Sequence, residues 1–340
     1  MGLRAGLTFP CGNARHFIVC NAFAILPPML KEAKGILTPE ELALVRKRSD
    51  LLGLWSIVSC WGIIFAAMAL FAFWPNPVTF LLGVVVVGGR QLGLAVIMHD
   101  AAHGILCRTK WLNDFIGGWP AGNALGVSLD GYRPYHLTHH RHTQQDEDPD
   151  LVLSAPFPIT RGSLRRKIIR DLTGQTFWKQ RKAQFLNALG KSEMPITERV
   201  EWFRTRLGGF MLMNVILLAG LSLIGQWHLF FVLWLLPMAT FNMLITRIRN
   251  IAEHAMVPDN DDVFRNARTT LTDPVTALLI APYGVNYHVE HHLFMWVPWY
   301  NLRKLHKMLL TKGYGARMEI QPNYLEVLKI ATSKPEAIAV

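Results

Sequence analysis

Ten of the thirteen histidines in this sequence fall in four short motifs. The densest is YHLTHHRHTQQDEDPD at residues 135–150, which places four histidines within seven positions. HDAAH lies upstream at 99–103, while NIAEH at 250–254 and HVEHH at 288–292 lie downstream. Imidazole is the commonest nitrogen ligand of transition metals in proteins. The clustering therefore indicates metal chemistry, and imidazole by itself suits zinc, copper, iron and nickel alike.

The motifs offer more ligands than one metal ion can bind. HxxxH, HxxHH and HxxHH supply eight imidazoles, and the NIAEH motif supplies a ninth. One tetrahedral or octahedral ion cannot use that many, so the sequence predicts two metal ions. The candidate ligands are His99, His103, His136, His139, His140, His254, His288, His291 and His292.

Other polar residues near the motifs are candidates for supporting roles. A carboxylate that accepts the second N–H of an imidazole fixes the orientation of that ligand. The candidate carboxylates are Asp100, Asp146, Asp148, Asp150 and Glu290, although an acidic run such as 146–150 is also typical of a solvated loop. The isolated histidines His16, His228 and His306 are predicted to be surface or helix-capping groups.

Four apolar stretches must position these motifs, at residues 51–74, 77–98, 207–225 and 227–246. Each has the roughly 20 apolar residues that a transmembrane helix needs. Two of the histidine motifs follow such stretches directly. His99 and His103 are four residues apart beyond the second, and Asn250 and His254 are four apart beyond the fourth. A helix that continues past the bilayer would place each pair on one face.

The net charge of +11 is placed as in a membrane protein, not as in a nucleic-acid-binding protein. Basic residues crowd 31–48, 161–206, 247–268 and 303–317, whereas the turns near Asn76 and at 225–226 carry none. By the positive-inside rule, both termini and the long central segment face the cytoplasm. Anionic membrane lipids account for the basic excess, and residues 163–190 are typical of helices that lie in the membrane surface.

These patterns predict an all-α integral membrane protein with about four transmembrane helices and a cytoplasmic helical cap that holds a histidine-rich dimetal site. We treat residues 1–340 as a single domain. The cysteines at 11, 20, 60 and 107 form no CxxC pair, so neither a disulfide framework nor a thiolate metal site is indicated. Arg90 lies inside the second span, where a charge is costly, and we expect it to have a buried partner on another helix.

Three segments together carry a family resemblance: HDAAHG at 99–104, RPYHLTHHR at 133–141 and NYHVEHHLF at 286–294. They resemble the three histidine boxes of the integral-membrane fatty acid desaturase and hydroxylase superfamily, over roughly residues 51–307. The resemblance implies a non-haem di-iron centre that uses molecular oxygen and two electrons to attack unactivated C–H bonds. His254 matches a further ligand of that family, and Asn250 matches a residue that contacts metal through water. His142 is extra to the second box, so a structural or supporting role is expected.

The resemblance also implies a function. We expect a desaturase that introduces a double bond into a long acyl lipid. The alternative is a related hydroxylase, ketolase or decarboxylase that acts on an alkane, carotenoid, sphingoid or free fatty acid. The His-Pro-Gly-Gly signature of a fused cytochrome b5 domain is absent from the sequence. Electrons would therefore come from a separate ferredoxin, or from cytochrome b5 with its reductase, at a bacterial inner membrane or the endoplasmic reticulum.

Competing classes fit the sequence less well. A b-type haem carrier would place paired histidines inside the spans, yet only His228 lies there. A membrane metalloprotease would show an HExxH helix, which is missing from the sequence. A zinc transporter would line the bilayer interior with acidic or histidine residues, and the predicted spans do not supply such a lining. Soluble di-iron proteins use Glu-x-x-His helix pairs, which do not occur here.

Overall fold

The computed structural model describes Ala33 and residues 35–335. His16, Cys11 and Cys20 lie outside the described residues, while Cys60 and Cys107 are buried free thiols. The α-helices in chain order are α1 (Pro39–Val45), α2 (Asp50–Phe73), α3 (Pro77–Ala102), α4 (Lys110–Ile116), α5 (Leu129–Arg141), α6 (Leu151–Ser154), α7 (Arg161–Leu172), α8 (Gln175–Ala188), α9 (Ile196–Phe203), α10 (Gly209–Leu223), α11 (His228–Phe230), α12 (Leu236–Ala239), α13 (Phe241–His254), α14 (Pro274–Leu279), α15 (His288–Leu293), α16 (Trp299–Thr311) and α17 (Tyr324–Ala331). The remaining elements are π-helical turns at Gly117–Asn123, Arg204–Gly208 and Phe231–Leu235, 3-10 turns at Pro282–Gly284 and Tyr314–Ala316, and strands β1 (Thr269–Thr270) and β2 (Ile320–Gln321).

Four helical stretches are long and apolar enough to cross a bilayer, which confirms the predicted fold class. Spans 1 to 4 are Pro39–Phe73, Pro77–Ala102, Ile196–Leu223 and His228–His254. Large apolar side chains on these helices face outward: Leu51 is 75% exposed and Leu223 is 88% exposed. Apolar surface of that extent suits lipid and not water. The protein is an integral membrane protein.

The spans run past the ends that hydropathy predicted. Span 2 continues beyond residue 98 to Ala102, and span 4 continues beyond residue 246 to His254. Span 3 begins at Ile196, well before the predicted start at 207. An apolar window stops at the first polar residues, whereas backbone hydrogen bonding carries a helix on into water. These extensions carry the first histidine pair and the Asn250–His254 pair out of the apolar region.

The end of span 2 is tightly packed. A Cβ atom added to Gly117 would lie 2.1 Å from the Cβ of Ala101, so only glycine lets the π-turn approach this closely. The Asn113 side chain donates to the Ala101 carbonyl at 2.9 Å and accepts from the Leu106 amide at 3.1 Å. This packing fixes the backbone that carries the first pair of histidines.

The C-terminal part of the chain closes over the end of span 4. Arg268 is buried, and its guanidinium donates to the carbonyls of Ala255 and Met256 at 2.8 Å each. These carbonyls are left without intrahelical partners at a helix C-terminus, where a cation is favourable. Strand β1 begins at the residue after Arg268 and pairs in parallel with β2. The end of span 4 is therefore held by both a charge and a backbone pairing.

The prediction that Arg90 has a partner on another helix is confirmed, but the residue that supplies the partner atom, Leu278, is 42% exposed and not buried. Arg90 is 5% exposed, and its guanidinium donates to the carbonyl of Leu278 in α14. The ring of Tyr283 lies 5.8 Å from the guanidinium carbon. Arg90 therefore connects span 2 to the segment that precedes the third histidine motif.

Candidate metal centre

The structure gathers the nine candidate histidines into two adjacent clusters. In each cluster, one ring nitrogen from every histidine lies within 4.8 Å of the others. The rings of His140 and His292, one from each cluster, stack with centroids 4.3 Å apart. The five-histidine cluster is His99, His103, His136, His140 and His291; the four-histidine cluster is His139, His254, His288 and His292.

Helix geometry explains how four motifs supply two clusters. Residues four apart lie on one face, so His136 and His140 of α5 enter the same cluster. Adjacent residues lie about 100° apart around a helix axis. His139 and His140 therefore point into different clusters, and so do His291 and His292 of α15. The doubled histidine of each HxxHH motif is the feature that links the two clusters.

In the four-histidine cluster, every Nδ1 faces a protein acceptor. His139 Nδ1 lies 2.8 Å from Asp148 Oδ1, and His254 Nδ1 lies 3.1 Å from the Asn266 carbonyl. The other two contacts are His292 Nδ1 to the Thr143 hydroxyl at 3.2 Å and His288 Nδ1 to Glu253 Oε1 at 3.5 Å. Such contacts set the tautomer and leave Nε2 free to bind an ion.

In the five-histidine cluster, fewer protein groups hold the rings. His99 Nδ1 lies 3.2 Å from Asp100 Oδ1. Within the described part of the chain, His99 Nε2, His103 Nε2 and His140 Nδ1 are buried without a hydrogen-bond partner. Buried polar atoms almost always have partners, so the unpartnered Nε2 atoms of His99 and His103 in this cluster indicate a bound cation. His140 presents its Nε2 to His136 and His291 at 3.0 Å each, so its unpartnered Nδ1 lies on the outer side of the ring.

Burial favours the neutral form of six of the cluster imidazoles. Burial lowers the pKa of His103 to about 3. Burial, assisted by the neighbouring imidazoles, also holds the pKa values of other cluster members well below their usual range; these are His136, His140, His288, His291 and His292. The neutral form is the one that binds metal.

The nitrogen–nitrogen distances fit a metal ion. The Nδ1 atoms of His254 and His288 face a carbonyl and a carboxylate, which only accept, so each Nδ1 carries the proton. Their two Nε2 atoms then present lone pairs to each other at 2.9 Å. Lone pairs at this distance repel unless a cation binds both. Two nitrogens bound at right angles to one ion, each at about 2.1 Å, would be about 3 Å apart.

Asn250 lies beside the four-histidine cluster. It lines a cavity of about 40 Å³ together with His139, His254 and His288. A cavity of that size holds a water molecule when its lining is polar. This position fits the predicted contact of Asn250 with metal through water, which stays a proposal.

Three predictions about supporting residues need correction or completion. His306 is not a surface group: it is 8% exposed, and its Nδ1 contacts Glu290. Glu290 thus holds His306 and accepts from the Thr269 hydroxyl at 2.5 Å, and it does not orient a cluster histidine through these bonds. Asp146 is exposed.

Other predictions about isolated or extra residues agree with the structure. His142 lies outside both clusters, with Glu147 4.0 Å away, and His228 is exposed.

Sequence reasoning missed Glu253 and Thr143, which contact cluster histidines. Glu253 precedes His254 and Thr143 follows the second motif, so position in the sequence could have marked both as candidates. Position did not show which histidine ring each residue would contact. Asp148 was among the predicted carboxylates. Burial acts to raise the pKa of Asp148, but hydrogen bonds from His139 and from two backbone amides lower it overall. Asp148 is therefore an ionised acceptor for His139.

Comparison with known proteins agrees with this geometry. The sequence model of the family described as Fatty acid desaturase matches residues 72–322, which is most of the chain and includes all nine cluster histidines. The chain belongs to this family.

The curated relatives of the chain differ in the reactions they are named for. Dihydrorhizobitoxine desaturase of Bradyrhizobium elkanii is 26% identical, covering 72% of this chain and 70% of that protein. A beta-carotene ketolase of a Paracoccus species is 27% identical, covering 73% and 90%. An sn-1 oleoyl-lipid 12-desaturase of a Picosynechococcus species is 25% identical, covering 84% and 82%. These similarities support an oxidoreductase of the family without specifying its reaction.

Proposed function

We propose that this protein is a membrane-bound, oxygen-dependent desaturase that introduces a double bond into a long acyl chain. The nine clustered histidines would bind two iron ions, with Asn250 contacting one of them through water. The observation that carries the proposal is the pair of buried imidazole clusters in ring contact, at the ends of spans 2 and 4.

When bound, the two irons would draw on oxygen and two electrons to supply the oxidising power that removal of hydrogen from a methylene group requires. The protein's own residues fix the imidazoles and exclude water. Asp148 and the Asn266 carbonyl hold ring N–H groups, and the cluster histidines are nearly all buried. A substrate dissolved in the bilayer accounts for the placement of the clusters on membrane helices.

Turnover would need a separate electron donor, either ferredoxin or cytochrome b5 with its reductase. We place the metal site and both termini on the cytoplasmic side of a bacterial inner membrane or of the endoplasmic reticulum. The basic segments at 161–206 and 247–268 support this orientation.

A ketolase or hydroxylase is the second candidate, and the similarity to a beta-carotene ketolase over 90% of its length supports it. Both reactions begin at a C–H bond and would use the same ligands. They differ in whether oxygen is incorporated into the product.

The test is lipid and pigment profiling of a host that expresses the protein with a donor system under ¹⁸O₂. We expect a new double bond without ¹⁸O in the product. His140→Ala should abolish the product, whereas His142→Ala should retain activity within about twofold because His142 lies outside both clusters. Incorporated ¹⁸O would favour the second candidate, and full activity in stably inserted His140→Ala would contradict both.

A further inference from the structure

A groove of about 740 Å³ lies between the N-terminal end of α5, helix α8 and the segment of span 3 where α9 meets the π-turn at Arg204–Gly208. We call it the interfacial groove. Its volume falls within the roughly 300–1,000 Å³ of small-molecule sites. The histidine clusters do not explain why this space exists.

The groove reaches the candidate metal centre at one side chain. Tyr132 lines the interfacial groove and also lines the small cavity beside His139, His254 and Asn250. Its ring stacks on His136, with centroids 5.1 Å apart and planes at 12°. A flexible chain that enters the groove therefore meets the histidines at Tyr132.

The helices beside the groove expose apolar side chains on their outer faces. Helix α8 exposes Phe185 and Leu186, and helix α9 exposes Ile196 and Val200; these side chains are 49–68% exposed. Helix α9 is the first part of span 3, and α8 is a separate helix that precedes it. Apolar side chains on the outside of α8 and at the beginning of a span indicate contact with the boundary between head groups and acyl chains. The groove therefore opens where lipid head groups lie.

The residues that line the groove have no net charge. Among the described residues that line it, Asp130 and Arg206 are the charged ones. The Arg206 guanidinium stacks 3.8 Å from the centroid of the Trp202 ring, and Gln184 and Asn187 add neutral amides.

This lining discriminates between carriers of an acyl chain. A coenzyme A thioester carries several phosphate charges, and proteins bind such groups with clusters of arginine and lysine. One cation, one anion and aromatic rings instead suit a head group whose own charges cancel or are absent.

We propose that the interfacial groove binds a bilayer lipid whose head group has no net charge, and that its acyl chain passes Tyr132 to reach the histidine clusters. This inference rests on the proposed function, because it names the substrate class of the same site. It makes the substrate a membrane lipid and not a soluble thioester.

The test is photo-crosslinking of the full-length, metal-loaded protein in nanodiscs, with a phosphatidylcholine whose acyl chain carries a diazirine. We expect labelled peptides that contain Tyr132 and residues 183–187. Ala183→Trp and Asn187→Trp, which fill the groove from α8, should each lower this labelling about tenfold or more. Leu186→Trp, on the same helix outside the groove, should leave labelling within about twofold.

Competition separates the carriers. Unlabelled phosphatidylcholine and a neutral galactosyl diacylglycerol should displace the probe, whereas oleoyl-coenzyme A and phosphatidylglycerol at equal concentration should not. Stronger displacement by oleoyl-coenzyme A, or normal labelling in both groove-filling variants, would overturn the inference.

Crosslinking needs no electron donor, so its outcome is independent of turnover. Product formation with no labelling of the groove would remove this inference and leave the proposed function standing. Suppose instead that unlabelled phosphatidylcholine displaces normal labelling but the wild type, supplied with an electron donor, forms no product. That outcome would remove the proposed function and leave this inference standing.

Discussion

The two histidine clusters are built from overlapping motifs and differ in how their rings are held. In the four-histidine cluster, every Nδ1 faces a protein acceptor, and the bond from His139 to Asp148 is the shortest at 2.8 Å. In the five-histidine cluster, His99 Nδ1 lies 3.2 Å from Asp100 Oδ1. The Nδ1 atom of His140 is buried and has no hydrogen-bond partner among the described residues.

The difference indicates two ways to build a metal site. The five-histidine cluster has more ligands, so the loss of one orienting bond leaves enough nitrogens to hold an ion. The four-histidine cluster has fewer ligands and compensates by orienting three of them with hydrogen bonds and placing a carboxylate beside the fourth. We therefore expect the four-histidine cluster to be the more sensitive to changes in its surroundings.

The largest expected effect comes from the neighbours His291 and His292, which enter different clusters. Both His291→Ala and His292→Ala should abolish turnover, because each disrupts one cluster. They should differ in metal content. His292→Ala leaves three imidazoles in its cluster and should retain about one ion per chain, whereas His291→Ala leaves four and should retain about two.

Elemental analysis of both purified variants checks this, with His228→Ala as a control at an exposed histidine. Equal metal loss in the two variants would contradict the expectation that the five-histidine cluster tolerates the loss of one ligand better than the four-histidine cluster does.

A smaller effect is expected from Asp148→Asn. Asp148 is buried and accepts from His139 as well as from the amides of Gln144 and Asp150. Loss of its charge should weaken binding of one ion by about 10–100-fold, the range seen when an orienting partner of a metal ligand is removed. Chelator competition measures this, and Asp146→Asn, at an exposed carboxylate in the same loop, should behave as wild type.

The smallest effect is expected from Asp100→Asn. Asp100 contacts His99, which is one of five ligands, and also accepts from the Trp299 amide at 3.0 Å, a bond that an asparagine oxygen can keep. Affinity for the other ion should fall by less than about tenfold in the same chelator assay. A larger loss than in Asp148→Asn would reverse the proposed contrast between the clusters.

Much of this site was predictable because its spacings are local. The i, i+4 pairs at 99 and 103 and at 250 and 254 predicted helices that extend beyond the apolar stretches, and spans 2 and 4 do so. The roles of Glu253 and His306 were not predictable. Glu253 accepts from Arg249 on its own helix, whereas His288, the histidine that it faces, lies on α15. His306 contacts Glu290 of α15, and nothing local distinguishes a buried histidine at 306 from an exposed one at 228.

Periodicity and hydropathy act over a few turns of chain, so the helix faces that residues share and the four apolar stretches that hold them in a membrane could be read from the amino-acid order. Three outcomes needed the folded structure: His139 and His140 enter different clusters, Asp148 accepts from His139, and Tyr132 lies between a groove and the histidines. These outcomes depend on how helices from distant parts of the chain cross, and the packing of the whole cap sets those crossings.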